Sequence, residues 1–378
     1  MGNDEMMLYD IWLQCVLGHG NARGISAIEY FGSSQNVYES STQQKKNSGI
    51  FTHKDLSRFE RVKISEAQRI LERCKKHSVT PISVSSAAFP QSLRATKNCP
   101  LVLYYRGTLP DLNTEPIIAI VGPRRVSEFG AKSAFALAKR LSAGGFTVVS
   151  GIAHGADSKA HLGAIDVGRP SICVLPHGHD YNYLPEQKAL REKIEKLGCT
   201  LSEKPPMSPL GAAAFHIRNR LISGLSLGVI LVEAGKRSGG LITANHALEQ
   251  GRDVFVIPGN PTDKHYEGSN ALLRDGANVL LSAMDIFGEY SAQFPDKVSS
   301  EAAHKKCGEA APQKIEKIIA SALSKTAKMV YNNMNAQVFS LDDVFVEGVS
   351  TSEMISALTE LEILGLIETL PGGRYLKK

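Results

Sequence analysis

None of the six cysteines, Cys15, Cys74, Cys99, Cys173, Cys199 and Cys307, forms a C-x-x-C pair with another, so the spacing excludes a zinc ribbon or a thioredoxin-type redox site. Thiols scattered in this way usually mean a reducing compartment. Long apolar runs are missing too. The longest, Ile117–Val121 and Gly228–Val232, are of strand length, far short of the ~20 residues that cross a bilayer. Met1–Asp10 carries acids early and has no basic stretch followed by an apolar one, so no secretory signal is expected. Charge of one sign is scarce: Lys+Arg 43 against Asp+Glu 38 leaves +5, which permits a polyanionic partner without demanding one. The chain has 378 residues and is 43% hydrophobic. That is enough for a real core and for more than one domain. The expectation is a soluble, cytoplasmic, multidomain protein with no membrane partner.

The charge is unevenly placed. Residues 1–112 carry a net +4, 113–290 a net +2 and 291–378 a net −1, so the last region offers no net attraction for phosphate. Gln43–Ser48 reads as a polar loop. Ser291–Gln313, rich in Ser, Ala, Lys and Pro without an apolar period, reads as a flexible tether.

The middle region alternates by type. β-branched apolar runs fall at Ile117–Val121, Phe146–Val149, Ser171–Leu175, Gly228–Glu233 and Asp253–Ile257, with a weaker one at Asn278–Leu281. Helical patterns lie between several of them, at Gly130–Ala143, Ala156–Val167, Glu186–Leu197 and Leu241–Gln250. Such alternation predicts a parallel sheet with helices on both faces. The strands are apolar on consecutive residues because both faces are covered. The fold class is therefore α/β, a doubly wound, Rossmann-like parallel sheet.

Ligands of such sheets bind beyond the carboxyl ends of the strands. There the sequence places Gly122-Pro-Arg124-Arg125, Ser150-Gly151-Ile-Ala-His154-Gly155-Ala-Asp157, Pro176-His177-Gly-His179 and Glu233-Ala-Gly-Lys236-Arg237-Ser238-Gly239-Gly-Leu-Ile-Thr243. Glycine lets backbone approach a phosphate. Helix starts offer bare N–H groups and the positive end of the dipole, and Arg124, Arg125, Lys236 and Arg237 can add charge-assisted bonds. A phosphate-rich ligand is expected at this edge. It is not a dinucleotide: the first turn lacks the G-x-G-x-x-G fingerprint, and no G-x-x-x-x-G-K-[ST] occurs anywhere, so no nucleotide cofactor is expected.

Phe215-His-Ile-Arg218-Asn219-Arg220 has two readings. Arginines meeting phosphates and a Phe ring stacking on a base would suit a single strand of nucleic acid; salt-bridged arginines and a core phenylalanine would be architecture. His154 and His161 are seven apart and can share a helix face, but no H-E-x-x-H accompanies them. With His177 and His179 they read as structural or solvated histidines, and no metal is expected. Asp157, Glu203 and Glu233 follow strands. They read as helix caps or as partners of Arg218 and Arg220 rather than as catalysts, since no G-x-S-x-G elbow exists.

Read together, Ser150–Asp157, Ala160-His161, Ser202-Glu203, Phe215–Arg220, Ser238–Thr243, Gly251-Arg252 and Pro258-Gly259 resemble the DNA-processing protein A family (DprA, also called Smf) over about 170 residues. Phe89-Pro90 and Pro100–Gly107 look like that family's lead-in segment. The resemblance implies an extended Rossmann fold that binds single-stranded DNA without cutting it, protects it during natural transformation, helps load the RecA recombinase and acts as a homodimer. The expected DNA-binding positions are Gly122, Arg124, Arg125, Gly151, Gly155, Phe215, Arg218, Asn219, Arg220, Lys236, Ser238, Gly239 and Thr243, with no catalytic residue. Pro123 stands where Ser or Thr is usual, His154 for a common Arg, Leu184 for a Tyr and His216 for a common Pro.

The flanks resemble the family as well. Ile11–Ser34, with its Gly18-His-Gly20 turn, looks like a SAM or helix-hairpin-helix module, whose backbone N–H groups can grip phosphate or can simply pack. Ser340–Val344, Ser352–Leu364 and a hairpin around Pro371-Gly-Gly373 look like a winged helix. Its helix carries Glu353, Glu360 and Glu362 and no Arg or Lys, so it would repel phosphate, which favours a protein contact or a vestigial role. The expected domains are 1–80 (helical), 81–290 (Rossmann-like), 291–313 (linker) and 314–378 (winged-helix-like). An alternative is a nucleotide or nucleoside-monophosphate phosphoribohydrolase. Such enzymes carry P-G-G-x-G-T, whereas here Pro258-Gly259 is followed by Asn260-Pro261. A transcription factor using the winged helix is a third reading, and the acidic helix counts against it.

Overall fold

The computed structural model describes residues 3–307, 323–334, 338–344, 346, 348–364, 366–370 and 374–377. It divides into two compact units, Met1–Cys307 and Gly308–Lys378.

The first unit opens with helices α1 (Asn3–Leu17), α2 (Arg23–Phe31), α3 (Ser34–Glu39), α4 (Thr42–Asn47), α5 (His53–Arg61) and α6 (Ile64–Lys76). The stretch expected as a loop at 43–48 is therefore helical. Ser41 accepts from the Gln44 backbone, and the Gln44 side chain accepts from Ser41 N–H, a capping box that outweighs a polar composition.

A nine-stranded sheet follows. Its strands are β1 (Thr80–Ser83), β2 (Val102–Gly107), β3 (Ile117–Val121), β4 (Thr147–Ser150), β5 (Ser171–Val174), β6 (Cys199–Ser202), β7 (Gly228–Leu231), β8 (Asp253–Val256) and β9 (Asn278–Val279). The spatial order is β1-β2-β6-β5-β4-β3-β7-β8-β9. Pairing is parallel from β6 to β9, while β2 runs antiparallel to both β1 and β6. The sequence pattern missed β6 and the antiparallel β1–β2 extension. The chain winds outward from β3 in both directions: β4, β5 and β6 lie to one side, and β7, β8 and β9 to the other.

Helices cover both faces: α7 (Gln91–Arg94), α8 (Glu128–Ala143), α9 (Ala156–Asp166), α10 (Lys188–Leu197), α11 (Ala214–Leu225), α12 (Gly239–Glu249), α13 (Glu267–Arg274), α14 (Ala283–Tyr290) and α15 (Ser300–Cys307). The strand period of two sorts each strand between two cores. Ile117, Ala119 and Val121 face one core with Val229 and Leu231; Ile118 and Ile120 face the other with Ile230 and Val232. The first core also holds Ile11, Leu13, Val37 and Ile70, so the N-terminal helices share their interior with the sheet. In the second core α8 and α9 meet through Ala134, Ala138, Ala160 and Ala164. They approach so closely that a Cβ on Gly163 would lie 2.3 Å from the Phe135 carbonyl oxygen.

Part of the stretch expected as a tether is packed against the first unit. Val298 and Ala303 are buried in the second core, Ser299 N–H donates to the Gly144 carbonyl, and Lys297 pairs with Glu115 at 2.9 Å. Gly145 makes room for this segment, since a Cβ there would strike the Lys297 carbonyl. Residues 308–313 lie outside those described.

In the second unit, helices Lys325–Asn332 and Thr351–Ile363 pack with a three-stranded antiparallel sheet. The sheet's order is Val338–Ser340, Arg374–Lys377, Ile367–Leu370. Val330, Phe339, Leu358, Leu361 and Ile367 fill the core. Glu353 caps its own helix through Ser350, and Glu360 accepts from Ser324, so two of the acids that make this helix unlike a DNA-reading helix serve local architecture. The hairpin tip expected at Pro371–Gly373 lies outside the described residues.

Candidate nucleic-acid interface

The strand order reverses at β3, and a crevice opens there between the loops that leave β3, β4 and β7. Ligands of open α/β sheets seat at such a switch point. The crevice is a cleft of about 670 Å³ whose lining includes Gly122, Pro123, Arg124, Asp157, Phe215, Arg218, Asn219, Lys236, Arg237, Ser238, Gly239 and Thr243.

Three buried acids hold the frame. Glu233, at the end of β7, accepts from Ser127 N–H at 2.7 Å and from the Ser127 hydroxyl at 2.6 Å, which fastens the start of α8 beneath the cleft. Glu203, after β6, pairs with Arg220 at 2.5 Å with both side chains buried. Asp157, at the start of α9, accepts from Ala153 N–H and sits against Arg218. Burial pushes the Asp157 carboxyl up, and the Arg218 charge opposes this. Burial likewise lowers the Arg218 guanidinium, and Asp157 opposes that. These acids cap helices and pair arginines, as the architectural reading expected.

Arg218 and Arg220 part company. Two residues along a helix is a turn of about 200°, so both cannot face one cleft. Arg218 lines the cleft floor, donating to the Val174 carbonyl and, through Nε, to Asn219 at 3.1 Å. Arg220 points the other way, to Glu203, and is absent from the cleft lining. The ring of Phe215 meets two of the cleft's guanidiniums, with Arg124 Cζ 4.7 Å and Arg218 Cζ 5.9 Å from its centroid. The ring orients two cations, each contact worth about 0.5–2 kcal/mol. Tyr183 closes its edge at a centroid distance of 5.8 Å.

The glycines divide similarly. Gly122 lines the cleft, and a Cβ on it would lie 2.6 Å from that of Ala156. Gly151 and Gly155 lie behind the lining. A Cβ on Gly151 would be 2.4 Å from both Arg218 Nη1 and Asp157 Oδ2. Gly155 has φ +82°, and a Cβ there would lie 2.4 Å from the Pro123 carbonyl oxygen. Gly151 lets backbone pass close to charged side chains, and Gly155 lets it pass close to the Pro123–Arg124 backbone. Arg125 is exposed but not part of the lining.

The helix starts are unequal too. The α9 start is occupied, since Ala156 N–H donates to the Pro123 carbonyl and Asp157 holds Ala153 N–H. The α8 start belongs to Ser127 and Glu233. At the α12 start the Ser238 hydroxyl accepts from Gly240 N–H and its carbonyl from Leu241 N–H, while Gly239 is exposed in the cleft wall. A Cβ on Gly239 would meet nothing within 4 Å. Exposed Lys236 and Arg237 stand beside it.

The histidines are structural. His161 bonds Ser171 and the Gly151 carbonyl, and burial lowers its pKa to about 4. Burial takes His177 to about 4 and His179 to about 3. His154 precedes α9 rather than sharing a face with His161, and contacts Glu186 at 2.7 Å and Gln187 at 2.8 Å. Among the described residues no group of His, Cys, Asp or Glu is arranged to hold a metal. The Gly18–Gly20 turn is spent internally: Gly20 N–H donates to Glu203, and a Cβ on Gly20 would lie 2.9 Å from the Ile217 side chain. The backbone N–H groups of Gly18 and Gly20 are thereby used within the protein.

Sequence reasoning missed Tyr183, and left open which of the three acids stands opposite Arg218. Tyr183 stands one residue before Leu184, which holds the unusual φ of +50°, and so supplies an aromatic close to where the family's Tyr was expected. Its signal was the Tyr181-Asn-Tyr183 pair in the loop after β5.

An open, doubly wound sheet with a cationic cleft at its switch point defines a Rossmann-type ligand-binding protein. The family model for DNA recombination-mediator protein A matches residues 80–291, and that for the DprA winged helix domain matches 317–373. The chain belongs to the DNA processing protein A (DprA/Smf) family. It is 37% identical over 221 residues to the DNA processing protein DprA of Bacillus subtilis, 58% of this chain and 74% of that one. Protein Smf of Escherichia coli is 33% identical over 319 residues, 83% of this chain and 81% of its own. The X-ray structure of DprA from Streptococcus pneumoniae superposes with a TM-score of 0.65 at 32% identity, covering 75% of this chain and 97% of that chain. A Helicobacter pylori DprA structure, solved for its single-stranded DNA binding mode, gives 0.52 at 26% identity, covering 57% and 96%. Among the described residues no helix is long and apolar enough to cross a membrane.

Proposed function

We propose that the chain binds single-stranded DNA at the β3 cleft, through its backbone and without base specificity, and does no bond chemistry on it. The observation that carries this reading is the pair of guanidiniums, Arg124 and Arg218, set against the Phe215 ring in the same cleft as exposed Lys236, Arg237 and Gly239. Guanidinium forks suit phosphate oxygens, which every nucleotide offers alike. The single-stranded DNA binding of the H. pylori relative points the same way. Of the cleft's acids, Asp157 is buried against Arg218 and occupied by a backbone N–H, a poor position for a general base. The phosphoribohydrolase alternative loses ground, because Gly259 packs against the Tyr266 ring instead of lining the cleft.

In this reading the protein works in the cytoplasm as a homodimer, shields incoming strands during natural transformation and hands them to the RecA recombinase. The sheet's edge supports a dimer. Around the two-residue edge strand β9, Val279, Leu281 and Met284 are exposed at 52%, 79% and 44%, an apolar patch of the kind that marks a contact between chains. The experiment is fluorescence anisotropy with an oligo-dT and a matched duplex. Tighter binding of the single strand, weakened in Arg124→Ala, supports the reading. Equal binding of duplex, or free base released from a nucleoside monophosphate, sinks it.

A further inference from the structure

A second cavity, of about 500 Å³, lies between the N-terminal helices and the sheet and shares no lining residue with the cleft. Tyr104 on β2 is fully buried and lines it, and its hydroxyl has no hydrogen-bond partner among the described residues. His19 Nε2, in the turn after α1, is buried and equally unpartnered. Two guanidiniums complete the polar wall: Arg58 of α5, which spends one amine on the Cys15 carbonyl, and Arg73 of α6. Buried polar groups without partners are costly, and each needs an explanation. A phenylalanine at 104 would avoid the cost, so a ligand that accepts from the hydroxyl is the direct explanation.

The acceptor is an anion. Glu66 is the one carboxylate in the wall, and it is engaged by Arg69 and Arg73. Cys15 is no rival charge, because burial, with Glu66 second, pushes its thiol up to about 11. Gln14 spends its amide on the Glu203 carbonyl and Val102 N–H. Four donor groups arriving from four elements suit the three outer oxygens of a tetrahedral phosphoryl group better than a planar carboxylate. The volume exceeds that of a bare phosphate and falls in the range of small-molecule sites, and Ile11 and Ile70 supply apolar wall.

We propose that this cavity binds a small organic phosphomonoester, its phosphoryl oxygens accepting from Tyr104, His19, Arg58 and Arg73, and its body resting on Ile11 and Ile70. The test is calorimetric titration of the full chain with ribose 5-phosphate, with inorganic phosphate and ribose run alongside. Saturable binding of ribose 5-phosphate is expected, tighter than inorganic phosphate, with none for ribose. Tyr104→Phe, which keeps the core's shape, weakens it roughly 5-fold or more, and Arg73→Gln roughly 10-fold or more. Arg124→Ala, in the cleft, leaves it unchanged. Absence of saturable binding overturns the proposal. So does binding that survives Tyr104→Phe and disappears in Arg124→Ala, which would place the anion in the cleft. Equal affinity for inorganic phosphate overturns the organic body.

Discussion

Replacing Arg124 and Lys236 together by alanine should flatten the salt dependence of oligonucleotide binding. Arg124, Lys236 and Arg237 are the exposed arginine and lysine side chains in the cleft lining, whereas Arg218 is buried and already opposed by Asp157. Lys236 now holds Glu267 at 2.6 Å, but at exposures of 75% and 45% that pair is worth little and yields readily to a phosphate. Three neutralised phosphates on a single strand give a slope of log affinity against log salt of about −2 per protomer. A fourfold rise in salt then weakens binding about 20-fold. With one exposed cation left, the slope falls to about −0.7 and the loss to about threefold. The assay is anisotropy of a labelled oligo-dT across a salt series, with circular dichroism to show that the variant is folded. A slope that stays near the parent's value would mean that the phosphates are met elsewhere, and the assignment of this cleft would be wrong.

Arg220→Ala should leave Glu203 buried and unpaired, costing about 3–5 kcal/mol in urea unfolding, while protein that remains folded keeps the parent's salt slope. Gly155→Ala combines a φ of +82° with a Cβ 2.4 Å from the Pro123 carbonyl oxygen and should destabilise by more than ~1 kcal/mol, read as a lowered Tm. Acid should weaken the fold in a definite window. His161, His177 and His179 are held at about 4, 4 and 3 by burial. Their stabilisation is complete above the ordinary imidazole pKa near 6.5 and is lost as pH falls from there toward 4, because the unfolded chain takes up protons first. Urea midpoints at pH 7 and pH 5 should therefore differ by a few kcal/mol in unfolding free energy. Leu281→Arg at the β9 edge should shift the size-exclusion mass toward that of one chain, and an unchanged mass would remove that edge from the dimer.

What the sequence determined by itself is local and periodic. Apolar runs such as Ile117–Val121 could only be strands covered on both faces, and the helices between them follow from the 3.6-residue pattern. Together these imply a parallel sheet, and with it the rule that a ligand seats beyond the strand ends. The glycines and basic residues at those ends were therefore readable as a cleft before any coordinates. Tertiary structure decided what depends on partners distant in the chain. β1 and β6 are no shorter than β4 or β5, but polar residues interrupt them (Thr80-Pro-Ile-Ser83, Cys199-Thr-Leu-Ser202), and it is pairing that defines them and β2. Residues 291–307 lack an apolar period, yet two buried side chains and the space at Gly145 hold them down. Arg218 and Arg220 look alike in sequence. One lies under the cleft and the other is bound to Glu203, because a helix turns its neighbours to different faces, and which face meets which acid is fixed only when the sheet has assembled around them.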